Sequence, residues 1–261
     1  MRHASIAEKT GQGRKLLAPF LCAGFPEPGL TLPLMEALAE AGADLIEVGL
    51  PYSDPLADGP VLQAAAQRAL RADHRLADTF AALRAFTGSH PEVPVFLMSY
   101  ANPLLALGPE RLAREVAAAG VAGLIVPDLP QAAERLLGPD LPPRIPFATL
   151  TTPSERLEAL RGSGAPFLYA VSVLGVTGAR TGVEDRTLAF LAETRRITNL
   201  PVLAGFGVAN PAQAAAMAAV CDGVIVGSAL AQALEGAADP VAAARAFLEP
   251  FRAALVEAPC S

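Results

Sequence analysis

Lysine and histidine are scarce in this sequence of 261 residues. The lysines are Lys9 and Lys15, and the histidines are His3, His74 and His90. None of them lies at the carboxyl end of a predicted β-strand, where barrels of alternating strands and helices place their catalytic groups. The sequence therefore argues against a Schiff-base lysine, a histidine-bound metal ion and a histidine-activated nucleophile. We expect an activity that uses no metal ion and no cofactor.

Cysteine is also rare. Cys22, Cys221 and Cys260 are far apart and odd in number, which is not the pattern of a disulfide framework. No Cys-x-x-Cys pair or Cys/His spacing indicates a zinc site. This usage of cysteine favours a reducing compartment, and we expect a cytoplasmic protein.

Long apolar runs and basic stripes are absent as well. The longest apolar stretch, 16–25, is interrupted by Pro19 and Gly24, whereas a membrane-spanning helix needs about 20 apolar residues. The charged N-terminal segment is not followed by the apolar stretch of a secretory signal. The formal net charge is −6, and no cluster of basic residues suits a phosphate backbone. We expect neither a membrane nor a nucleic acid as partner.

A repeated pattern organises the chain. With 52% hydrophobic and 18% charged residues, the chain has the composition of a folded protein. The segments EAGADLIEVG (40–49), AAGVAGLIVPD (118–128) and AAVCDGVIVGS (218–228) share one plan. Each has small residues that end a helix, then a turn, then a continuous apolar strand. Such strands are typical of a parallel sheet covered on both faces.

The whole chain contains eight such strands with helical periodicity between them. Eight β/α units in about 250 residues match a (β/α)₈ TIM barrel, and we predict one domain over 1–261. An extra N-terminal helix (2–12) and an extra helix after the second strand complete this fold. The rival is an open doubly wound sheet, but the first strand is followed by AGFPEPG and not by a dinucleotide-binding Gly-x-Gly-x-x-Gly. The predicted strands are 16–23, 44–50, 95–99, 123–127, 146–150, 167–173, 201–206 and 223–227.

Glu47 is a carboxylate inside an apolar strand, LIEVG at 45–49. Side chains alternate between the two faces of a strand, so Glu47 faces the barrel interior if Ile46 and Val48 face the helices. A carboxyl group there loses solvation, and its pKa rises towards a value useful for acid–base catalysis. The alternative is a structural glutamate bonded to neighbouring hydroxyl groups.

Asp58 lies in the loop SDPLADGP (53–60) after the same strand. Its position at a strand end suits a catalytic carboxylate on a mobile loop. Turn chemistry alone also explains aspartates in such a loop, and Asp58 could cap the helix that begins near Val61.

Glycine-rich loops end the last three predicted strands: GVTGARTG (175–182), GFG (205–207) and VGSA (226–229). Backbone N–H groups approach a phosphate closely where side chains are absent, and barrels often bind phosphate at these loops. A helix that opens at Ser228 would add its N-terminus. Tight turns that need glycine are the alternative.

Aromatic residues also fall in or at the ends of the predicted strands. Each is individually explained as barrel core, but beside Glu47 they could together form a flat pocket for an aromatic substrate. They are Phe20, Tyr100, Tyr169 and Phe206.

The segment IEVGLPYSDPLADGPVLQ (46–63) closely resembles the signature of the tryptophan synthase α subunit family. The resemblance extends from about residue 18 to about residue 235 in blocks that keep the order of the family. These blocks include LCAGFP (21–26), SYANPLL (99–105), LIVPDLP (124–130), TTPSERL (151–157), YAVSVLGVTGAR (169–180), AGFGVANPAQA (204–214) and DGVIVGSAL (222–230).

The resemblance implies a (β/α)₈ barrel that cleaves indole-3-glycerol phosphate to indole and glyceraldehyde 3-phosphate without metal or Schiff base. It also implies a pyridoxal-phosphate β subunit as partner, in an α₂β₂ assembly. By resemblance Glu47 is the acid/base, Asp58 meets the indole N–H, and Thr177 closes against the loop of Asp58. The implied indole pocket is Phe20, Tyr100, Tyr169 and Phe206, and the implied phosphate site is Gly178, Gly207, Gly227 and Ser228.

Some positions depart from the family pattern. Tyr52 stands where phenylalanine is usual, Val173 stands where some members carry arginine, and the segment 131–145 is short and proline-rich. These departures concern local structure and partner contacts. Two other functions stay open at this point: a sugar-phosphate isomerase type of barrel, which leaves SDPLADGP unexplained, and a weakly catalytic regulatory subunit. Indole release with and without a β subunit discriminates between them.

Overall fold

The structure is a computed structural model, and it describes residues 4–171, 183–205 and 207–256. Its strands are β1 Leu16–Cys22, β2 Ile46–Gly49, β3 Val95–Met98, β4 Gly123–Ile125, β5 Phe147–Thr149, β6 Leu168–Val171, β7 Val202–Gly205 and β8 Gly223–Val226. Its α-helices are α1 Ala4–Gly11, α2 Thr31–Glu40, α3 Pro60–Arg71, α4 Leu76–Ser89, α5 Ala101–Leu107, α6 Pro109–Ala118, α7 Ser154–Glu158, α8 Asp185–Thr198, α9 Pro211–Ala218, α10 Ser228–Leu234 and α11 Pro240–Val256, and a 3₁₀ helix spans Gln131–Leu137.

The eight strands form one parallel sheet in the order β4-β3-β2-β1-β8-β7-β6-β5. Backbone hydrogen bonds also join the two strands at the ends of this order, since β4 bonds to the segment directly before β5. The Leu124 N–H on β4 donates to the Pro143 carbonyl at 3.0 Å, and the Ile145 N–H donates to the Leu124 carbonyl at 2.8 Å. The sheet therefore closes on itself, and the predicted (β/α)₈ barrel is confirmed.

Burial explains why the strands read as continuous apolar runs. Every residue of β1, β2 and β8 is buried, since the helices cover the outer face and side chains fill the barrel. The C-terminal helix α11 packs against α2 and α9. The extra helices α1 and α4 lie where the sequence predicts them. Among the described helices, none has the length and apolar character needed to cross a membrane.

Two local predictions were wrong. The helix α5 was not predicted, because Pro103 and Gly108 interrupt the periodicity of its short sequence. Pro103 is nevertheless compatible with the first turn of a helix, where its missing N–H has no partner to lose. The helical periodicity of the sequence also predicts an α-helix at 132–137, where the structure has a 3₁₀ helix, Gln131–Leu137, a form that short helical segments often take.

Asp44 anchors the amino end of the barrel. It is completely buried and precedes β2, and one of its carboxylate oxygens accepts the Leu17 N–H of β1 at 3.0 Å. Arg14 and Arg252 each donate to the same carboxylate at 2.7 Å, and Lys9 lies 3.3 Å from it. One side chain thus joins two strands to α1, to the segment before β1 and to α11.

Asp222 repeats this arrangement before β8. Its carboxylate accepts the Val202 N–H of β7 at 2.9 Å and bonds to Arg195 at 3.0 Å. The sequence repeat of a turn followed by an apolar strand therefore has a structural counterpart in two aspartates that bridge neighbouring strands.

We expect Asp44→Asn to lower the free energy of unfolding by about 3–5 kcal/mol, because it leaves the largely buried Arg252 without its charge partner. Urea unfolding of the purified chain measures this loss. Glu40→Gln, which breaks an exposed ion pair with Arg245, is the matched control and should barely move the midpoint. A loss for Asp44→Asn no larger than that of the control would contradict the anchoring role.

Candidate active site

A narrow cleft opens at the carboxyl ends of β1, β2 and β3. Aromatic, aliphatic and sulfur-containing side chains form most of its wall, with Asp58 and Ser99 among its polar groups. The lining residues are Phe20, Cys22, Gly49, Leu50, Asp58, Leu62, Ala66, Met98, Ser99 and Tyr100. This is the end of the barrel at which barrel enzymes place their chemistry.

Glu47 lies on β2, two residues before the cleft-lining Gly49. It pairs in register with Phe20 of β1 and Phe96 of β3, and it is completely buried. Neither carboxyl oxygen has a hydrogen-bond partner among the described residues. Burial raises the pKa of Glu47 to about 8, because the charged form loses its hydration without compensation. Glu47 is therefore mostly protonated at neutral pH and can donate a proton.

Tyr169 on β6 is a buried aromatic residue of the predicted site. Its ring lies over Gly205, where an added Cβ would come within 2.3 Å of the ring. Burial raises the pKa of the Tyr169 hydroxyl, and the charges of Glu47 and then of Asp58 raise it further. Tyr169 therefore interacts electrostatically with both carboxyl groups.

Asp58 reaches the cleft from the loop 51–59 that joins β2 to α3. Burial raises the pKa of Asp58 to about 6, and a hydrogen bond with the Tyr100 side chain opposes part of this rise. Its Oδ1 is buried without a partner among the described residues. At neutral pH Asp58 is mostly ionised, so this end of the barrel holds one neutral and one charged carboxyl group.

We expect Glu47 to make stability depend on pH. The folded chain keeps the Glu47 proton up to about pH 8, whereas an unfolded glutamate releases it near pH ~4.3. Between these values the native state binds more protons, so stability falls as pH rises, by roughly 1.4 kcal/mol per pH unit. The glutamine side chain of the Glu47→Gln variant cannot titrate, so the variant lacks this pH dependence. The free energy of unfolding of wild type should therefore fall relative to that of Glu47→Gln as pH rises through this window, and the difference should level off above it. Urea unfolding from about pH 5 to about pH 9 measures this difference, and a constant value would contradict a buried neutral carboxyl group.

The glycines at the strand ends are needed for two different reasons: some make room for an aromatic ring, and one adopts a positive φ. A Cβ on Gly49 would come within 2.5 Å of the Phe20 ring, and a Cβ on Gly227 would come within 3.3 Å of Phe20. These two glycines and Gly205 give room to aromatic rings. Gly207 differs, because it is exposed and has φ +88°, a conformation that favours glycine.

The structure brings several of the predicted site residues to one end of the barrel. Phe20, Asp58 and Tyr100 line the cleft, Glu47 pairs in register with Phe20, and Tyr169 interacts electrostatically with both carboxyl groups. Gly207 follows β7, Gly227 follows β8, and the exposed Ser228 begins α10. Thr177, Gly178 and Phe206 lie outside the described residues.

Several lining residues were missed in the sequence. Cys22 lies two residues after Phe20, Gly49 two after Glu47, and Met98 two before Tyr100. Residues two apart on a strand share a face, so this spacing was the signal that could have found them. Leu62 and Ala66 on α3 carry no comparable signal, because their place depends on how the helix packs.

No group of three His, Cys, Asp or Glu side chains that could hold a metal ion occurs within 4–171, 183–205 and 207–256. The chemistry available to the described cleft is proton transfer between a carboxyl group of raised pKa and a substrate, next to a second carboxylate.

A closed parallel barrel with two carboxyl groups of raised pKa near one end is typical of (β/α)₈-barrel enzymes. The family model described as "Tryptophan synthase alpha chain" matches residues 6–255. The chain belongs to this family, and the resemblance seen in the sequence is confirmed.

Individual relatives agree with the family model. The tryptophan synthase alpha chain of Carboxydothermus hydrogenoformans is 44% identical over 237 residues, which cover 88% of this chain and 87% of the relative. That of Rhizorhabdus wittichii is 43% identical, covering 96% and 94%. The crystal structure of the alpha chain from Legionella pneumophila has a TM-score of 0.86 at 33% identity, covering 98% and 97%. Tryptophan synthase from M. tuberculosis in its aminoacrylate-bound form includes a chain with TM-score 0.83 at 34% identity, covering 97% and 99%.

Proposed function

We propose that this chain is a carbon–carbon lyase that cleaves indole-3-glycerol phosphate to indole and glyceraldehyde 3-phosphate. The observation that carries the proposal is Glu47, a completely buried carboxyl group without a hydrogen-bond partner among the described residues, whose pKa is raised to about 8. A structural glutamate would satisfy its oxygens inside the protein. An unsatisfied neutral carboxyl group near an open cleft is instead suited to a proton transfer.

The reaction needs two proton transfers on one side of the substrate. Glu47 donates its proton to C3 of the indole ring, and the ring nitrogen then carries positive charge. The carboxylate so formed takes the proton of the glycerol hydroxyl next to the bond that breaks. The C–C bond electrons return to the ring, which releases neutral indole and the aldehyde, and Glu47 is protonated again.

Asp58 stabilises the charged intermediate. Its carboxylate accepts the indole N–H, and the attraction grows as positive charge develops on the nitrogen. The aromatic and aliphatic wall made by Phe20, Leu50 and Met98 suits the flat ring. Tyr169 interacts electrostatically with both carboxyl groups, and by resemblance its ring belongs to the indole pocket.

The phosphate group binds at the carboxyl ends of β7 and β8. The exposed Gly207 with positive φ and the exposed Ser228 at the start of α10 support this assignment, since such positions leave backbone N–H groups accessible. Gly227 stands between them, although it also makes room for Phe20. Gly178 and Thr177, which complete the site by resemblance, lie outside the described residues.

The partner is a pyridoxal-phosphate β subunit, which docks on one side of the barrel mouth in an α₂β₂ assembly. Three exposed leucines support this surface: Leu56 (86% exposed) follows β2, Leu105 (39%) is on α5 after β3, and Leu136 (48%) is on the 3₁₀ helix after β4. They follow three consecutive strands, which suits a partner that docks on this side of the barrel mouth. Because Leu56 is two residues from Asp58, the partner can shift that loop towards its active position.

The location is the cytoplasm. The described cysteines, Cys22 and Cys221, are both buried free thiols, which agrees with a reducing compartment.

The test is indole release from indole-3-glycerol phosphate by the purified chain, alone and with a saturating β subunit. We expect slow release by the chain alone and faster release with the partner, without added metal. An isomerase would consume a sugar phosphate and release no indole, and a purely regulatory subunit would release none by itself. Either result would overturn the proposal.

A further inference from the structure

The loop 51–59, which carries Asp58, is tied to the start of α5 at two points. Near its end, the Ala57 N–H donates to the Tyr100 hydroxyl at 2.9 Å. At its beginning, the Asn102 side-chain amide donates to the Tyr52 hydroxyl at 3.1 Å. Tyr100 is the last residue before α5, and Asn102 is on its first turn.

The two tyrosines also support each other. Their ring centroids are 5.4 Å apart and the ring planes are inclined by 30°, which is within the range of favourable aromatic pairs. Tyr100 is buried, whereas Tyr52 is half-buried and Asn102 is exposed. The outer tyrosine therefore covers the inner one, whose hydroxyl meets Ala57 and the side chain of Asp58.

The start of α5 is itself fixed by a hydrogen bond to the segment that follows β4. The Ala101 N–H donates to the Asp128 carboxylate at 2.9 Å, and Asp128 follows β4. Asn102 thus lies on a helix that is fixed to the barrel. Its hydrogen bond to Tyr52 therefore restrains the loop 51–59.

We infer that Tyr52 is a positioning residue for the lyase reaction: bound to Asn102, it braces Tyr100 and thereby holds Asp58 at the cleft. Tyr52, Asn102 and Tyr100 form a clamp on the loop. The inference rests on the proposed function, because in that reaction the Asp58 carboxylate stabilises the positive charge that develops on the indole nitrogen. The clamp acts within the isolated chain and needs no contact from a partner.

The clamp affects the chemical step more than substrate binding. Asp58 interacts with the indole nitrogen most strongly after positive charge has formed, so a loosely held Asp58 lowers kcat and changes KM little. The expected size is modest, because one neutral hydrogen bond between partly exposed groups is removed while the ring contact stays.

The experiment compares wild type, Tyr52→Phe, Asn102→Ala and the double variant as isolated full chains. Phenylalanine keeps the ring contact with Tyr100 and removes only the hydroxyl. Ser89→Ala, which removes an exposed hydroxyl that bonds within α4, is the matched control. One readout is the exchange rate of the Ala57 amide hydrogen by NMR, which does not depend on activity. The other is kcat and KM for indole release.

We expect Tyr52→Phe and Asn102→Ala each to speed Ala57 exchange and to lower kcat by about 3–10-fold, with KM within about twofold of wild type. The double variant should lose no more than the worse single variant, because both remove the same bond. Ser89→Ala should change neither readout.

Unchanged Ala57 exchange in Tyr52→Phe would overturn the clamp, as would faster exchange with an unchanged kcat. Additive losses in the double variant would also overturn it, since they would show that the two side chains act separately. If wild type itself releases no indole, the proposed function fails, and the exchange rates alone then decide whether the clamp exists.

Discussion

Glu47→Gln is expected to lower kcat for indole release by on the order of 10³ while the chain stays folded, because general acid–base catalysis contributes about 10²–10⁴-fold. Glutamine keeps the size of the side chain and cannot donate and then accept the proton. KM should change little, since Glu47 acts on atoms that change charge during the reaction. Steady-state release of indole, with circular dichroism to check the fold, measures this effect.

Two further variants sharpen the result for Glu47. Glu47→Asp keeps the carboxyl group but withdraws it by one methylene, so it should lose less activity than Glu47→Gln. Glu40→Gln, on the outer helix α2, should keep full activity. A loss of less than tenfold in Glu47→Gln would remove Glu47 from its proposed role.

Asp58→Asn is the second large effect, with an expected loss of about 10²–10³-fold in kcat. Asparagine still accepts a hydrogen bond from the indole N–H, but it lacks the charge that stabilises a positive ring, and losses of this size follow the removal of one preorganised electrostatic contact. Indole release by the isolated chain measures the loss.

The loop provides a matched control for this variant. Asp54 lies four positions earlier, is exposed, and accepts a hydrogen bond from the Ser53 hydroxyl. Asp54→Asn should leave the activity of the isolated chain nearly unchanged. If both variants lost the same activity, the loss would come from the loop as a whole and the special role of Asp58 would be wrong.

The barrel was predictable because its strands leave a strong local signal. Continuous apolar segments at regular intervals need two covered faces, and eight of them fit a closed parallel sheet. The burial of Glu47 followed from the same reasoning, since a carboxylate within an apolar strand faces the barrel interior when its neighbours face the helices. Asp58 was less distinct, because turn chemistry accounts equally well for an aspartate before Gly59 and Pro60.

Other features depend on contacts that the sequence does not display. Gly49 and Gly205 make room for aromatic rings, whereas glycine in a phosphate loop would look the same in the sequence. The clamp joins Ala57 to Tyr100 and Tyr52 to Asn102 across more than forty residues. Its existence follows from the neighbouring positions of β2 and β3 in the barrel, and no local pattern marks it.

The central claim is that a protonated, buried Glu47 starts the reaction, and the pH dependence of kcat/KM tests it most directly. This profile reports the ionisations of the free enzyme and substrate. The acid side should fall near pH 6, where Asp58 gains a proton and where the substrate phosphate also titrates. The alkaline side belongs to Glu47 and is therefore diagnostic. We expect kcat/KM to fall above about pH 8, because the general acid is then lost. An activity that stays level or rises through this range would show that Glu47 is not the proton donor and would contradict the account.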